Sequence, residues 1–354
     1  MRWFEDTAVH VRCTIALVFL FLTASPSVFA QSLKCVERVE VVPAGVIGAR
    51  GLAVLVRSGG DDDGDDAITV LIADTVGGAE ENVGGSGRVR RVVLSAGKSG
   101  LMKVLKDEVF GEIRYKQARG IAFSSDGKEV YVCDTAAARI YVHDASTGRL
   151  TSAIETAGMA KVVQVDGRDG SIWYLTTDGR IHHRFADGRT KVVLGEVAEG
   201  DGGDAAHGGA QRKPVELKGA VDFAIDLRAG ELVVSQRGVG GERANDGRVV
   251  AIDFERGVLR VVAEGFGEVE GIAVLDGVGD AGCVIVVADS LSGKVYSIRE
   301  GGTRREVVAE GAKSGFGEPI CVRMTGGRGN EVVVSARGSA ERESVLVFLD
   351  GFRD

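Results

Sequence analysis

The chain has 354 residues, 52 of them Gly and only 4 Pro, with 6% aromatic residues and a formal charge of −8 at pH 7. That acidic balance argues against nucleic-acid binding, which draws on an excess of Lys and Arg. Scarce Pro and 44% hydrophobic content exclude a disordered low-complexity chain.

Residues 1–30 read as a cleaved signal peptide. The apolar run "TIALVFLFL" at 14–22 follows Arg12 and precedes "TASPSVFA". Crossing a bilayer takes about 20 apolar residues, so the run is too short to span. Val28 and Ala30 suit a signal-peptidase site, with Gln31 as the mature N-terminus. Glu5 and Asp6 offset Arg2 and Arg12, an unusual n-region. The chain is therefore expected to be secreted, with no membrane span once the leader is gone. Cys13 leaves with the leader, and Cys35, Cys133, Cys283 and Cys321 remain, widely spaced and without a CxxC pair. The last three lie in apolar runs and read as buried free thiols. Cys35, ahead of the first strand, is placed for a covalent tie.

From residue 36 onward, short Val- and Ile-rich runs alternate with Gly and Asp, the mark of many short strands. They recur in triplets. "RGLAVL", "ITVLIADT" and "GRVRRVVL" form the first, and "RGIAF", "VYVCDT" and "RIYVHD" the second. "AKVVQV", "IWYLTT" and "GRIHHRF" make a third; "VDFAID", "LVVSQ" and "GRVVAID" a fourth. "EGIAVL", "CVIVVADS" and "GKVYSI", then "PICVRM", "EVVVSA" and "SVLVFL", complete six. Fourth strands follow at 190–196, 259–265 and 305–311. Four-stranded units repeated radially are β-propeller blades. The sixth unit lacks a fourth strand, which "VERVEVV" at 36–42 is expected to supply, closing the ring. The fold class is all-β: one six-bladed β-propeller domain over residues 31–354, its N-terminal strand completing the last blade.

"GIAF…DGKEVYVCDTAAARIYVHD" and "GIAVL…VIVVADSLSGKVYSI" resemble NHL repeats. Those units belong with the six-bladed propellers of the SMP-30/gluconolactonase and strictosidine-synthase-like families. The resemblance spans nearly all of residues 36–354 and speaks for fold more than for function.

In such a ring the innermost strands line a channel, and the loops entering them share one face with the ends of the second strands. Long segments at 95–118, 199–219, 76–86, 237–246 and 337–343 are expected on that face, and the acidic 59–66 loop on the other. Two residues ahead of each inner strand's first apolar residue stand Arg50, Arg119, Ala160, Val221, Glu270 and Glu318. Arg50, Arg119, Glu270 and Glu318 fall on neighbouring blades and are expected at the channel mouth. There they form either a salt-bridged plug or a site where arginine forks hold a protein or a small polar or anionic ligand. The second-strand ends, Asp74, Asp134, Thr176, Ser235, Asp289 and Ser335, read as structural ties to nearby backbone.

The lactonase-like resemblance implies a divalent cation, Ca²⁺ or another, at the mouth. Glu270-Gly271 resembles the "EG" that opens that ligand pattern, with Glu318 and Asp222 as further oxygen donors. Asn82, Asn245 and Asn330 fall outside the positions the pattern needs. No G-x-S-x-G is present, and the adjacent His182 and His183 point to opposite sheet faces. The resulting expectation is a monomeric binding module without an organic cofactor. Its alternative is a metal-dependent lactonase- or esterase-like hydrolase built on Glu270, Glu318 and Asp222.

Overall fold

The computed structural model describes residues 38–43, 49–57, 67–75, 87–96, 102–195, 213–214, 217–238, 246–275, 283–299, 305–314, 316–324, 331–338 and 344–350. The leader, Cys35, His207, the three asparagines and the loops 59–66 and 76–86 lie outside them, as does most of 199–219, 237–246 and 337–343.

Six four-stranded antiparallel sheets form the blades of a propeller. Blade 1 runs Ala49–Arg57, Ala67–Thr75, Gly87–Ala96 and Met102–Val109, from inner to outer strand. Blade 2 is Ala118–Phe123, Glu129–Asp134, Arg139–Asp144 and Leu150–Glu155; blade 3 is Ala160–Val165, Ile172–Thr176, Ile181–Arg184 and Thr190–Val192. Blade 4 is Ala220–Asp226, Glu231–Gln236, Gly247–Asp253 and Leu259–Phe266; blade 5 is Val269–Leu275, Val284–Asp289, Lys294–Arg299 and Arg305–Glu310. Blade 6 is Phe316–Met324, Val332–Gly338 and Ser344–Asp350, and Arg38–Pro43 is its outer strand. Inner strands touch in the order of the chain, and blade 6 touches blade 1, so the ring closes.

The strands form because Val, Ile and Leu alternate at period two, and the stacked sheets bury both faces of the middle strands. The core therefore lies between blades. Leu52, Val70 and Val92 of blade 1 pack on Val333, Leu346 and Phe348 of blade 6. Val249 and Phe266 of blade 4 likewise meet Ile272, Ile285 and Val287 of blade 5. Each such side chain contributes about 1.5–3 kcal/mol on burial.

Outer strands are the exception. "MKVLKDEV" shows a burial pattern almost wholly exposed, and Val104, Leu105 and Val109 face solvent. That is why 95–118 reads as an irregular loop in sequence although it holds the fourth strand of blade 1. Leu150–Glu155 escapes notice for the same reason. Its charges and polar residues carry no core-facing stripe. Among the described residues no helix is long and apolar enough to cross a membrane.

Candidate functional site

Every inner strand begins with a β-bulge. In blade 1 the pairing steps from Ala49–Asp74 to Gly51–Ala73 and leaves Arg50 unmatched. Lys161 in blade 3, Val221 in blade 4 and Ile320 in blade 6 are passed over in the same way. In blades 2 and 5, Arg119-Gly120 and Glu270-Gly271 stand opposite single residues, Cys133 and Ala288. A bulge strands one residue outside the ladder and re-aims its side chain. All six re-aimed residues line one cavity of about 450 Å³ at the centre of the ring.

The residue after each bulge lines it too, and three of these are Gly because adjacent inner strands come so close. A Cβ on Gly51 would lie 1.7 Å from the Arg119 carbonyl oxygen, and one on Gly271 2.5 Å from the Val322 amide nitrogen. On Gly120 it would lie 2.7 Å from Val162 Cα. The Arg-Gly and Glu-Gly dipeptides thus couple a charge aimed at the mouth to a strand contact only Gly allows.

Five cationic side chains, Arg50, Arg119, Lys161, Arg237 and Arg323, share the cavity with two carboxylates, Asp222 and Glu270. Arg323 is buried and reaches from blade 6 to blade 4. Its Nη1 and Nη2 donate to the two oxygens of Asp222 at 2.7 and 3.2 Å, and Nη1 also donates to the Val322 carbonyl at 2.7 Å. Burial works against its charge, but Asp222 outweighs that and holds its pKa above the ordinary arginine value. Arg237, at the end of blade 4's second strand, donates to Glu270 and pairs with Glu268 at 3.1 Å. Burial raises the Glu270 pKa, Glu268 adds to the rise, and Arg237 opposes it.

The other three cations have no such partner. Among the described residues Arg50 and Arg119 make no ion pair. Among the described residues Lys161 donates only to the Ala220 carbonyl. Burial lowers the Arg119 pKa, and Arg50 and Arg237 lower it further, against Glu270. Lys161 is brought down to about 8 by burial and then by Arg119 and Arg237, with Asp222 and Glu270 pulling the other way. The mouth is thus an arc of uncompensated positive charge on blades 1–3, facing Glu270 on blade 5 across neutral Val221 and Ile320. Paired and unpaired charges coexist at the mouth. Arg323–Asp222 and Arg237–Glu270 are closed pairs, and the arc is open.

Of the residues expected at the mouth, Arg50, Arg119 and Glu270 come together, and Asp222 joins them. Glu318 does not line the cavity; its side chain is 52% exposed and pairs with Arg337 at 2.6 Å. In blade 6 the equivalent ring position is Ile320, because Pro319 takes the ladder position that Ala49, Ala118, Ala160 and Ala220 hold elsewhere. In blade 3 it is Lys161 rather than Ala160. The cation set Glu270, Glu318 and Asp222 does not converge, and Asp222 is occupied by Arg323 and by the Phe223 and Ile272 amides at 2.9 and 3.3 Å. Among the described residues no three His, Cys, Asp or Glu stand together as a metal would need.

Second-strand ends act as ties to nearby backbone; Thr176 Oγ1 donates to the Arg180 carbonyl at 2.9 Å, whereas among the described residues the buried Ser335 Oγ meets no hydrogen-bond partner. Asp134 accepts the Lys116 and Gln117 amides at 2.8 and 2.9 Å, and Asp289 accepts those of Gly267 and Glu268 at 2.9 Å. In blade 4 the equivalent residue is Gln236, and Ser235, one residue inward, instead bonds the Glu270 carbonyl at 2.7 Å. The described histidines stand away from the mouth. His143 lies buried between the Tyr115 hydroxyl at 2.8 Å and the Gly148 carbonyl at 3.0 Å. His182 stacks on Tyr174 and His183 on Trp173, on different partners as alternation requires. Cys133 and Cys321 are buried free thiols, and Cys283 is buried in its strand.

No family model matches the chain, and no curated protein matches it either. Among solved structures it is similar to a chain in a crystal structure of a nidogen/laminin complex, with 18% sequence identity and a TM-score of 0.53. The match covers 78% of this chain and 91% of that one, and it shows the shared six-bladed propeller fold.

Proposed function

We propose that the protein is a secreted, NHL-type propeller that works as a binding module, using its channel mouth to hold an anionic group of its ligand or partner. The observation that carries this reading is the arc of Arg50, Arg119 and Lys161 over a cavity of about 450 Å³ in a chain of net charge −8. Cations stay uncompensated in a concave, partly desolvated site at a cost, and an incoming anion relieves it. The similar chain belongs to a protein–protein complex, which agrees with an interaction role. The apolar run at 14–22 supports secretion, and the repeated "GIA" strands support the NHL kinship. The lactonase-like reading needs Glu270, Glu318 and Asp222 to act on one ion, and their placement gives it no support.

The test is calorimetric titration and thermal melting with small anions at fixed ionic strength, against chloride as reference. Binding in the parent that is lost in the Arg119→Gln, Lys161→Met double variant supports the proposal. No anion bound above the chloride background refutes it.

A further inference from the structure

Resting on that reading, we infer that the mouth is built for a phosphomonoester group rather than for a carboxylate or a sulfate ester. Three cations sit on three consecutive blades. Their inner strands are in direct contact, Gly51 against the Arg119 backbone and Gly120 against Val162, so the side chains rise from neighbouring points. Arg119 feels both Arg50 and Arg237, and Lys161 feels both Arg119 and Arg237, so the positive ends crowd a common region.

A single carboxylate offers one negative charge and two oxygens. It leaves most of the arc's charge uncompensated. A phosphomonoester carries about 1.5–2 negative charges at pH 7 and three terminal oxygens. Two guanidinium forks and one ammonium are the donors that match three oxygens on a tetrahedral centre. A sulfate ester has the shape without the second charge.

The rest of the cavity accommodates what the phosphate is attached to. Val162, Val221 and Ile320 give apolar wall, and Glu270 lies across from the arc as a hydrogen-bond acceptor. A volume of about 450 Å³ is in the range of small-molecule sites, with room for a phosphate and a ring. The same group arises on a small molecule or on a phosphorylated side chain.

The experiment is calorimetry of the full mature chain with inorganic phosphate, phenyl phosphate, phenyl sulfate, benzoate and a phosphoserine pentapeptide, from pH 5 to 9.5 at constant ionic strength. Phenyl phosphate is expected to bind at least about tenfold tighter than phenyl sulfate or benzoate, a difference of about 1.4 kcal/mol. Its affinity should rise through about pH 6 as the ester gains its second charge. It should fall above about pH 8 as Lys161, flanked by Arg119, Arg237, Asp222 and Glu270, loses its proton. Lys161→Met should remove the alkaline limb, and Arg119→Gln and the exposed Arg50→Gln should each weaken phenyl phosphate severalfold.

Equal binding of phenyl sulfate or benzoate overturns the phosphate preference and leaves the anion-binding function standing. Phosphate binding untouched by all three variants, each confirmed folded by its melt, overturns the site. Binding of no anion overturns both. A pentapeptide matching phenyl phosphate assigns the group to a modified protein, and a weaker one assigns it to a small molecule; either supports the inference.

Discussion

Arg323→Met is the perturbation whose outcome follows most directly from the geometry. Arg323 and Asp222 are 9% and 5% exposed and joined through both carboxylate oxygens. Removing the guanidinium leaves a buried carboxylate with only two backbone amides, at 2.9 and 3.3 Å. Breaking one side of a buried pair costs about 3–5 kcal/mol. For a chain of this size that is a melting drop of roughly 4–7 °C. Adding Asp222→Asn removes the stranded charge while keeping an acceptor for the amides, so the double variant should recover all but about 1–2 kcal/mol. Urea unfolding of parent, single and double variants at pH 7 gives the cycle. A single variant within about 1 kcal/mol of the parent, or a double as unstable as the single, would show that the pair does not carry the energy assigned to it.

Three further outcomes are expected. Lys161 has its pKa brought from 10.5 to about 8, so between those values the unfolded chain holds a proton that the folded chain has lost, and stability rises with pH across that window. Lys161→Met should flatten this rise and add about 1–3 kcal/mol at pH 7, read from denaturant melts across pH. Gly51→Ala should cost about 3 kcal/mol or more, since its Cβ would meet a neighbouring carbonyl at 1.7 Å, while Gly167→Ala, with nothing within 4 Å, should change stability by under about 0.5 kcal/mol. Tyr115→Phe should cost about 1–3 kcal/mol by leaving the buried His143 Nε2 without its 2.8 Å donor, and an unchanged melt would refute that role.

The propeller was legible because each blade repeats an apolar triplet with its turns, and period-two burial has few other solutions at this spacing. Arg50, Arg119 and Glu270 were legible because Gly follows them and marks the bulge. Lys161 was hidden because Val162 stands where the others have Gly, so counting back from the apolar run landed on Ala160. Glu318 was a false member of the ring because Pro319 shifts the bulge to Ile320. Arg237 recurs as Arg337 at the end of blade 6's second strand, but only Arg237 lines the cavity, and Arg323 stands where the other inner strands carry Ala or Gln. The signal for Arg323 was a cation inside "PICVRM", which demands a buried acid, and Asp222 sits where blades 1, 2 and 5 carry Gly. Pairing that odd base with that odd acid was possible from sequence; knowing that they meet across the channel required the ring.

The closure of blade 6 sets a clock on the ribosome. Arg38–Pro43 emerges first, and its partner Ser344–Asp350 is among the last strands made. With roughly 300 residues between them and elongation at about 5–20 residues per second, the first strand waits on the order of 15–60 s. Until then the face of blade 1 that carries Leu52 and Val70 has no Val333 or Leu346 to cover it. A nascent chain in that interval presents an open apolar sheet, so the demand on holding factors falls on the whole period of synthesis and ends only when the final strand arrives.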